Sequence, residues 1–324
     1  MWKGVIFLKG KRVLGVLLAA TVALGVAGSA GAKETLTVWH AGSLNAALKD
    51  VEARFLEKYP DLEIQDKGAG SVELAQAIVD KGGCDLYLTA DYRNIEDLLK
   101  PQHATWNLQF CTNAMVIAYS PKAPRAKEIS AGNWFRVLAQ PDVSWGHTDP
   151  NKDPGGYRAI MVLQLAEAFY GQPGLEKSLM EAPGHRVVDG INAKGVKRLM
   201  EWGSLGYMLK YRSYAVADGM QMIELPAEIN LGDPAFAERY AKASVSIKGK
   251  GDQKITMQGE PVVYGLTIPT SAKNGARALE FVQFLLSPEG KQILEKRGFG
   301  LMPPTPATPR DKLPAELAPL AAAQ

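Results

Sequence analysis

Two cysteines in 324 residues are too few for a disulfide scaffold or a thiolate metal site. Cys84 and Cys111 form either one bridge or two buried thiols, and their spacing leaves both open. Only four histidines occur. None stands in an H-E-x-x-H pattern, and G-x-S-x-G and S-x-x-K are missing as well, which removes familiar signatures of exported hydrolases. No internal repeat is visible. Beyond residue 32 no apolar run is long enough to cross a bilayer.

A large charge of either sign is also lacking. The formal +3 belongs to the first 32 residues, which hold Lys3, Lys9, Lys11 and Arg12 and no acid. The remainder has 33 Lys plus Arg against 34 Asp plus Glu, a net −1. Nothing in that balance favours nucleic acid or an anionic membrane surface. The basic start, the apolar run from Val13 to about Val26 and the small residues ending at Ala32 form the pattern of a secretory signal peptide. The expected mature chain is exported and soluble, and no cysteine near the cleavage site offers a lipid anchor.

What is present is a strand and helix alternation. Leu36–Trp39 reads as a strand, and Leu44, Leu48, Val51, Phe55 and Tyr59 line one helical face. A second strand over 62–64, a helix after Ser71 and a third strand over 85–89 follow. That order predicts an α/β fold with parallel strands and crossover helices, its ligand at the carboxyl ends of the strands. A run from Cys111 to Tyr119 reads as one strand long enough to link two lobes, and Pro261–Ile268 as a returning strand. The expected organisation is residues 33–112 plus 266–324 as lobe 1 and 113–265 as lobe 2. Helices are expected from Gly156 to Tyr170, from about Ala193 to Trp202, from about Gly275 to Leu286 and after Ser287-Pro288; the tail from Pro303 is a packed extension or a loose end.

Two strand-to-helix turns carry the same residues, Ala41-Gly42-Ser43 and Ala69-Gly70-Ser71. Glycine lets backbone approach a ligand closely, serine offers a hydroxyl, and a helix start leaves N–H groups unpaired. Each serine alone is as well explained by an N-cap; the recurrence at successive crossovers points to an anion cradle. Hydrogen bonds to a charged group contribute about 1.5 to 3 kcal/mol each. Roughly six or seven would reach nanomolar affinity after association costs.

The stretches HAGSL, GAGS, TADY (89–92), DPGGYR, LPAEINL and PVVYGLTIP, in order between residue 35 and about 303, resemble the archaeal-type tungstate- and molybdate-binding proteins, receptors of ABC importers. The resemblance implies a two-lobed type II periplasmic-binding-protein fold, each lobe a mixed sheet flanked by helices, with a hinge of two crossing strands. It implies no enzymatic activity, no cofactor, a tungstate or molybdate ligand, a monomer and a membrane permease as partner. Carried over, Ser43 and Ser71 with backbone donors near Gly42 and Gly70 bind the oxygens, Tyr211 adds a donor, and Asp153 and Glu228 bind the metal atom. A carboxylate would repel sulfate, whereas a high-valent metal accepts hard oxygen ligands. Lys152 and Gly155 depart from the family pattern, and Glu73 is expected to point away. Two other readings stand beside this one: sulfate, phosphate or chelated iron on the same fold, or a hydrolase pairing Ser43 or Ser71 with His40, His103, His147 or His185.

Overall fold

The computed structural model describes residues 33–191, 193–249, 253–307 and 310–322; the leader expected over 1–32 lies outside the described residues. Residues Lys33–Gln324 make one compact unit. Along the chain, β1 is Glu34–Ala41, β2 Leu62–Ala69, β3 Leu86–Thr89 and β4 Leu108–Thr112. Next come β5 Met115–Tyr119, β6 Trp145–Thr148, β7 His185–Val188, β8 Tyr207–Tyr211 and β9 Gln221–Glu224. A hairpin of β10 Ser244–Lys248 and β11 Lys254–Gln258 precedes β12 Val263–Thr267 and β13 Gly300–Pro306.

Among the described residues these strands form two large mixed sheets besides the hairpin, in the orders β13-β4-β12-β3-β1-β2 and β7-β6-β8-β5-β9. β1 runs parallel to β2 and β3, and β12 is antiparallel to β3 and β4. In the second sheet β6 is parallel to β7 and β8, while β5 is antiparallel to β8 and β9. Each parallel step is spanned by a helix packed through an apolar stripe. Helix Asn45–Leu56 buries Ala47, Leu48, Val51 and Phe55, with Phe55 edge-on to Phe281 at 5.1 Å. Helix Ser71–Lys81 buries Leu74, Ala75 and Ile78 and stops at Gly82, whose φ of 63° suits only glycine.

The segment Cys111–Tyr119 is not one strand. It breaks at Asn113-Ala114, so β4 belongs to the first sheet and β5 to the second. Asn113 causes the break: its side-chain oxygen takes the Ala114 N–H at 3.0 Å, competing with the ladder. The Asn113 N–H itself bonds to Val262 O just before the return strand, so the two connecting segments touch where they cross. Helix Pro154–Tyr170 is apolar round most of its N-terminal three turns, where it is buried on nearly every side. Its start is capped by Asp153 and its end by left-handed Gly171. The tail is a packed extension: β13 pairs with β4, and Leu313, Leu317 and Ala321 are buried. Cys84 and Cys111 are free and buried in two different apolar clusters, and burial pushes both thiols up.

Candidate functional site

The register of β1 on β2 pairs Ala41 with Ala69, so the two Ala-Gly-Ser turns leave the sheet side by side. Gly42, Ser43, Gly70 and Ser71 border one cavity of about 250 Å³. Residues at or just beyond the ends of the parallel strands of the second sheet, Thr148 at the end of β6, Asp153 after it and Tyr211 at the end of β8, line it from the other side. The cavity therefore lies at the carboxyl ends of strands in both sheets, where the crossover rule places a ligand.

The glycines are needed for approach. A Cβ on Gly70 would stand 2.3 Å from the Lys152 carbonyl oxygen, and one on Gly42 2.7 Å from the Tyr214 hydroxyl. Backbone of the second half thus rests on the Gly70 turn, and the Tyr214 side chain on the Gly42 turn. Lys152 is held there by its Nζ, 2.6 Å from Asp189.

Neither serine caps its helix; no side-chain cap bond forms at Ala41, Leu44 or Gly70. Ser71 Oγ instead accepts the Ala90 N–H at 3.1 Å, and Ser43 Oγ meets Tyr264 Oη at 2.7 Å. Tyr211 Oη accepts from the Arg158 guanidinium at 2.8 Å. For Ser71 and Tyr211, an internal donor occupies the oxygen and the hydroxyl proton is left to turn outward. Burial raises the Tyr211 and Tyr214 phenols well above their usual range, so both stay neutral donors.

Asp153 is both a cap and a cavity wall. One carboxylate oxygen accepts the Gly155 N–H at 3.1 Å and the other the Thr148 hydroxyl at 2.7 Å, which leaves further lone pairs. Burial raises its pKa above the ordinary carboxyl value, against the pull of Thr148, the Gly155 N–H and Arg158. Glu228, expected beside it, is not among the residues lining the cavity. It sits on the turn after β9, the edge strand two places beyond β8. That turn is tied down elsewhere, by the Tyr240 hydroxyl on Ala227 O, and the Glu228 charge acts on Tyr170 and Tyr240. Glu73 is exposed yet borders the cavity instead of pointing away.

Sequence reasoning missed several neighbours. Thr148, Tyr214 and Lys210 line the cavity; Lys210 is buried, with Nζ 3.2 Å from Asp218 and 5.0 Å from the Tyr214 ring centre. A lone lysine inside the apolar strand YMLKY was the available signal. Tyr157 and Arg158 were also overlooked. Arg158 lies 3.0 Å from Asp91 and donates to Ala90 O at 2.7 Å, while the Tyr157 hydroxyl donates to Asp91 at 2.7 Å. All three side chains are buried, so this cluster ties the start of helix Pro154–Tyr170 to the end of β3.

The profile of the family described as "Bacterial extracellular solute-binding protein" matches residues 36–300. The chain belongs to that family. It is 37% identical to an uncharacterized solute-binding protein of Petrotoga mobilis over 291 residues, covering 87% of this chain and 88% of the relative. It is 35% identical over 289 residues to the molybdate/tungstate-binding protein WtpA of Pyrococcus abyssi, covering 81% and 83%. Its fold is shared with the periplasmic molybdate-binding protein of Azotobacter vinelandii, at TM-score 0.62, 15% identity, and 82% and 99% coverage.

The site suits a solute-binding protein. Ser43 and Ser71 hydroxyls pair with a phenol and a backbone N–H, not with a histidine. His40, His147 and His185 instead direct Nδ1 to the carbonyls of Ala41, Thr148 and Met180. Among the described residues no group of three or more His, Cys, Asp and Glu could hold a metal ion. What the cavity offers is the Ser43 and Ser71 hydroxyls with the Gly42 and Gly70 turns on one side and Asp153 with Tyr211 on the other; Glu73, Asp149, Asp189, Lys152 and Lys210 also border it.

Proposed function

We propose that this solute-binding protein captures tungstate or molybdate in the cleft between its two sheets and delivers it to the permease of an ABC importer. The observation that carries the reading is the convergence of Ser43, Ser71, Tyr211 and the backbone around Gly42 and Gly70 with Asp153 on one cavity. Neutral donors grip the oxygens of a fully ionised anion. The Asp153 carboxylate, an oxygen donor of the kind hard metal centres prefer, faces the central atom. Sulfate presents no such acceptor, so at Asp153 it meets repulsion. In this reading the leader over 1–32 directs export, the receptor works as a monomer, and ligand bridging the two halves favours the closed form the permease recognises.

Calorimetric titration with tungstate, molybdate, sulfate and phosphate tests the reading. Submicromolar binding of the first two with at least tenfold weaker sulfate binding is expected. Asp153→Asn should weaken tungstate about tenfold or more and leave sulfate equal or improved. Equal affinity for sulfate and tungstate overturns the proposal.

A further inference from the structure

We infer that Asn113, at the crossing of the two connecting segments, sets the hydrogen-bond polarity of Ser43, so that Ser43 meets the ligand as a donor and favours oxyanion oxygens that carry no proton. The inference rests on the oxyanion reading of the cavity and adds a positioning residue that does not line it.

The direction of every bond in this relay can be derived. The Asn113 side-chain oxygen accepts two backbone N–H groups, from Ala114 at 3.0 Å and Ser213 at 3.3 Å. Flipping the amide would set its NH2 against both, so the orientation is locked. Its two amide protons then go to the Ser213 hydroxyl at 2.8 Å and the Tyr264 hydroxyl at 3.0 Å. Tyr264, accepting from Asn113, has one proton of its own, and its other neighbour is Ser43 Oγ at 2.7 Å. Tyr264 therefore donates to Ser43. Ser43, its oxygen occupied, turns its proton to the cavity and meets a ligand as a donor.

The surroundings keep this polarity fixed. Asn113, Ser213, Tyr264 and Ser43 are all buried, so water does not scramble the chain of donors. Burial also holds the Tyr264 phenol far above its usual range, so the relay does not titrate at physiological pH. Three segments meet in it: the β4–β5 crossing, the return strand β12, and the start of helix Arg212–Asp218, whose Ser213 hydroxyl donates to the Ser43 carbonyl at 3.5 Å. Ser43 keeps one further lone pair, but with its proton turned to the cavity it meets tungstate, molybdate or sulfate oxygens as a donor. An anion that carries an O–H binds best with that O–H turned away from Ser43, toward an acceptor such as Asp153.

The test reverses the relay without changing its shape. In Asn113→Asp the oxygen that replaces the amide nitrogen accepts from Tyr264, which then accepts from Ser43 and draws that proton away from the cavity. Affinities for tungstate and inorganic phosphate are compared at about pH 8, where both are dianions and only phosphate carries an O–H. The added charge weakens both equally and cancels in the ratio. The tungstate-to-phosphate affinity ratio should fall about tenfold or more. Tyr264→Phe, which deletes the donor, should lower it by a smaller factor in the same direction, and thermal melts of both variants report on folding. Equal losses for both anions, with the ratio unchanged, mean that Asn113 only holds the fold and overturn the inference. If the parent binds no oxyanion at all, the reading of the cavity fails and takes the relay's role with it.

Discussion

Gly70→Ala isolates the contact between the two halves. Gly70 has φ −63° and ψ 133°, a conformation any residue adopts, so the substitution strains no backbone of its own. The added Cβ meets the Lys152 carbonyl oxygen at 2.3 Å, whereas real Cβ atoms do not come closer than 3.0 Å. A carbonyl cannot swing aside like a side-chain tip, so the facing backbones must part by roughly 1 Å. Overpacking of that kind costs about 1 to 3 kcal/mol. Because the wedge stands where ligand has to bridge both sides, the cost falls on the bound state and predicts tungstate affinity reduced about 5- to 150-fold. Calorimetry measures it, with small-angle scattering of the loaded protein reporting whether the halves stand apart. Gly132→Ala, where an added Cβ meets nothing within 4 Å, is the control. A Gly70→Ala protein that binds within twofold of the parent refutes the claim that the bound form keeps Gly70 against Lys152.

Arg158→Met leaves the Asp91 carboxylate buried and without its cation, which costs about 3 to 5 kcal/mol. The melting temperature should fall by roughly 10 °C, with partial recovery in the double variant with Asp91→Asn; an unchanged melt removes the cluster from the account of stability. Glu52 is half-buried, with one carboxylate oxygen unpartnered among the described residues. Burial first, and the Asp66 charge second, push its pKa from 4.5 to about 8. Between those values the folded state holds a proton the unfolded state has released, so unfolding free energy falls as pH rises through the window. Glu52→Gln mimics the protonated form and should be more stable than the parent at pH 9, by on the order of 1 to 3 kcal/mol, and little different at pH 4. Parallel stability curves in urea for the two proteins across that range contradict the assignment.

Local pattern was enough for most elements. The apolar spacing from Leu44 to Phe55 forms a helix as read, and Ser287-Pro288 starts one, with Ser287 accepting the Gly290 N–H. The recurring Ala-Gly-Ser turns are side by side because strands of one parallel sheet carry them. Period and turn chemistry operate over a few residues, so such features are written along the chain. Cys111–Tyr119 misled because apolar residues flank Asn113 on both sides, and periodicity does not register a side chain that takes over a backbone donor. Glu228 is a different case, since it is not among the residues lining the cavity. A motif specifies which residue stands in a turn, while the strand order of the second sheet decides how far that turn lies from the cavity.

By itself, then, the sequence determined the alternation of strands and helices and the paired glycine-serine turns, both consequences of hydrophobic period and local backbone geometry. Only the tertiary structure decided which polar groups share the cavity, that Ser43 and Ser71 do not cap their helices, that Arg158 is buried against Asp91, and which way the Asn113 relay points. Those depend on contacts between residues as far apart as Ser43 and Tyr264. Burial then makes each such partnership obligatory, because a polar group removed from water must find its partner inside the protein.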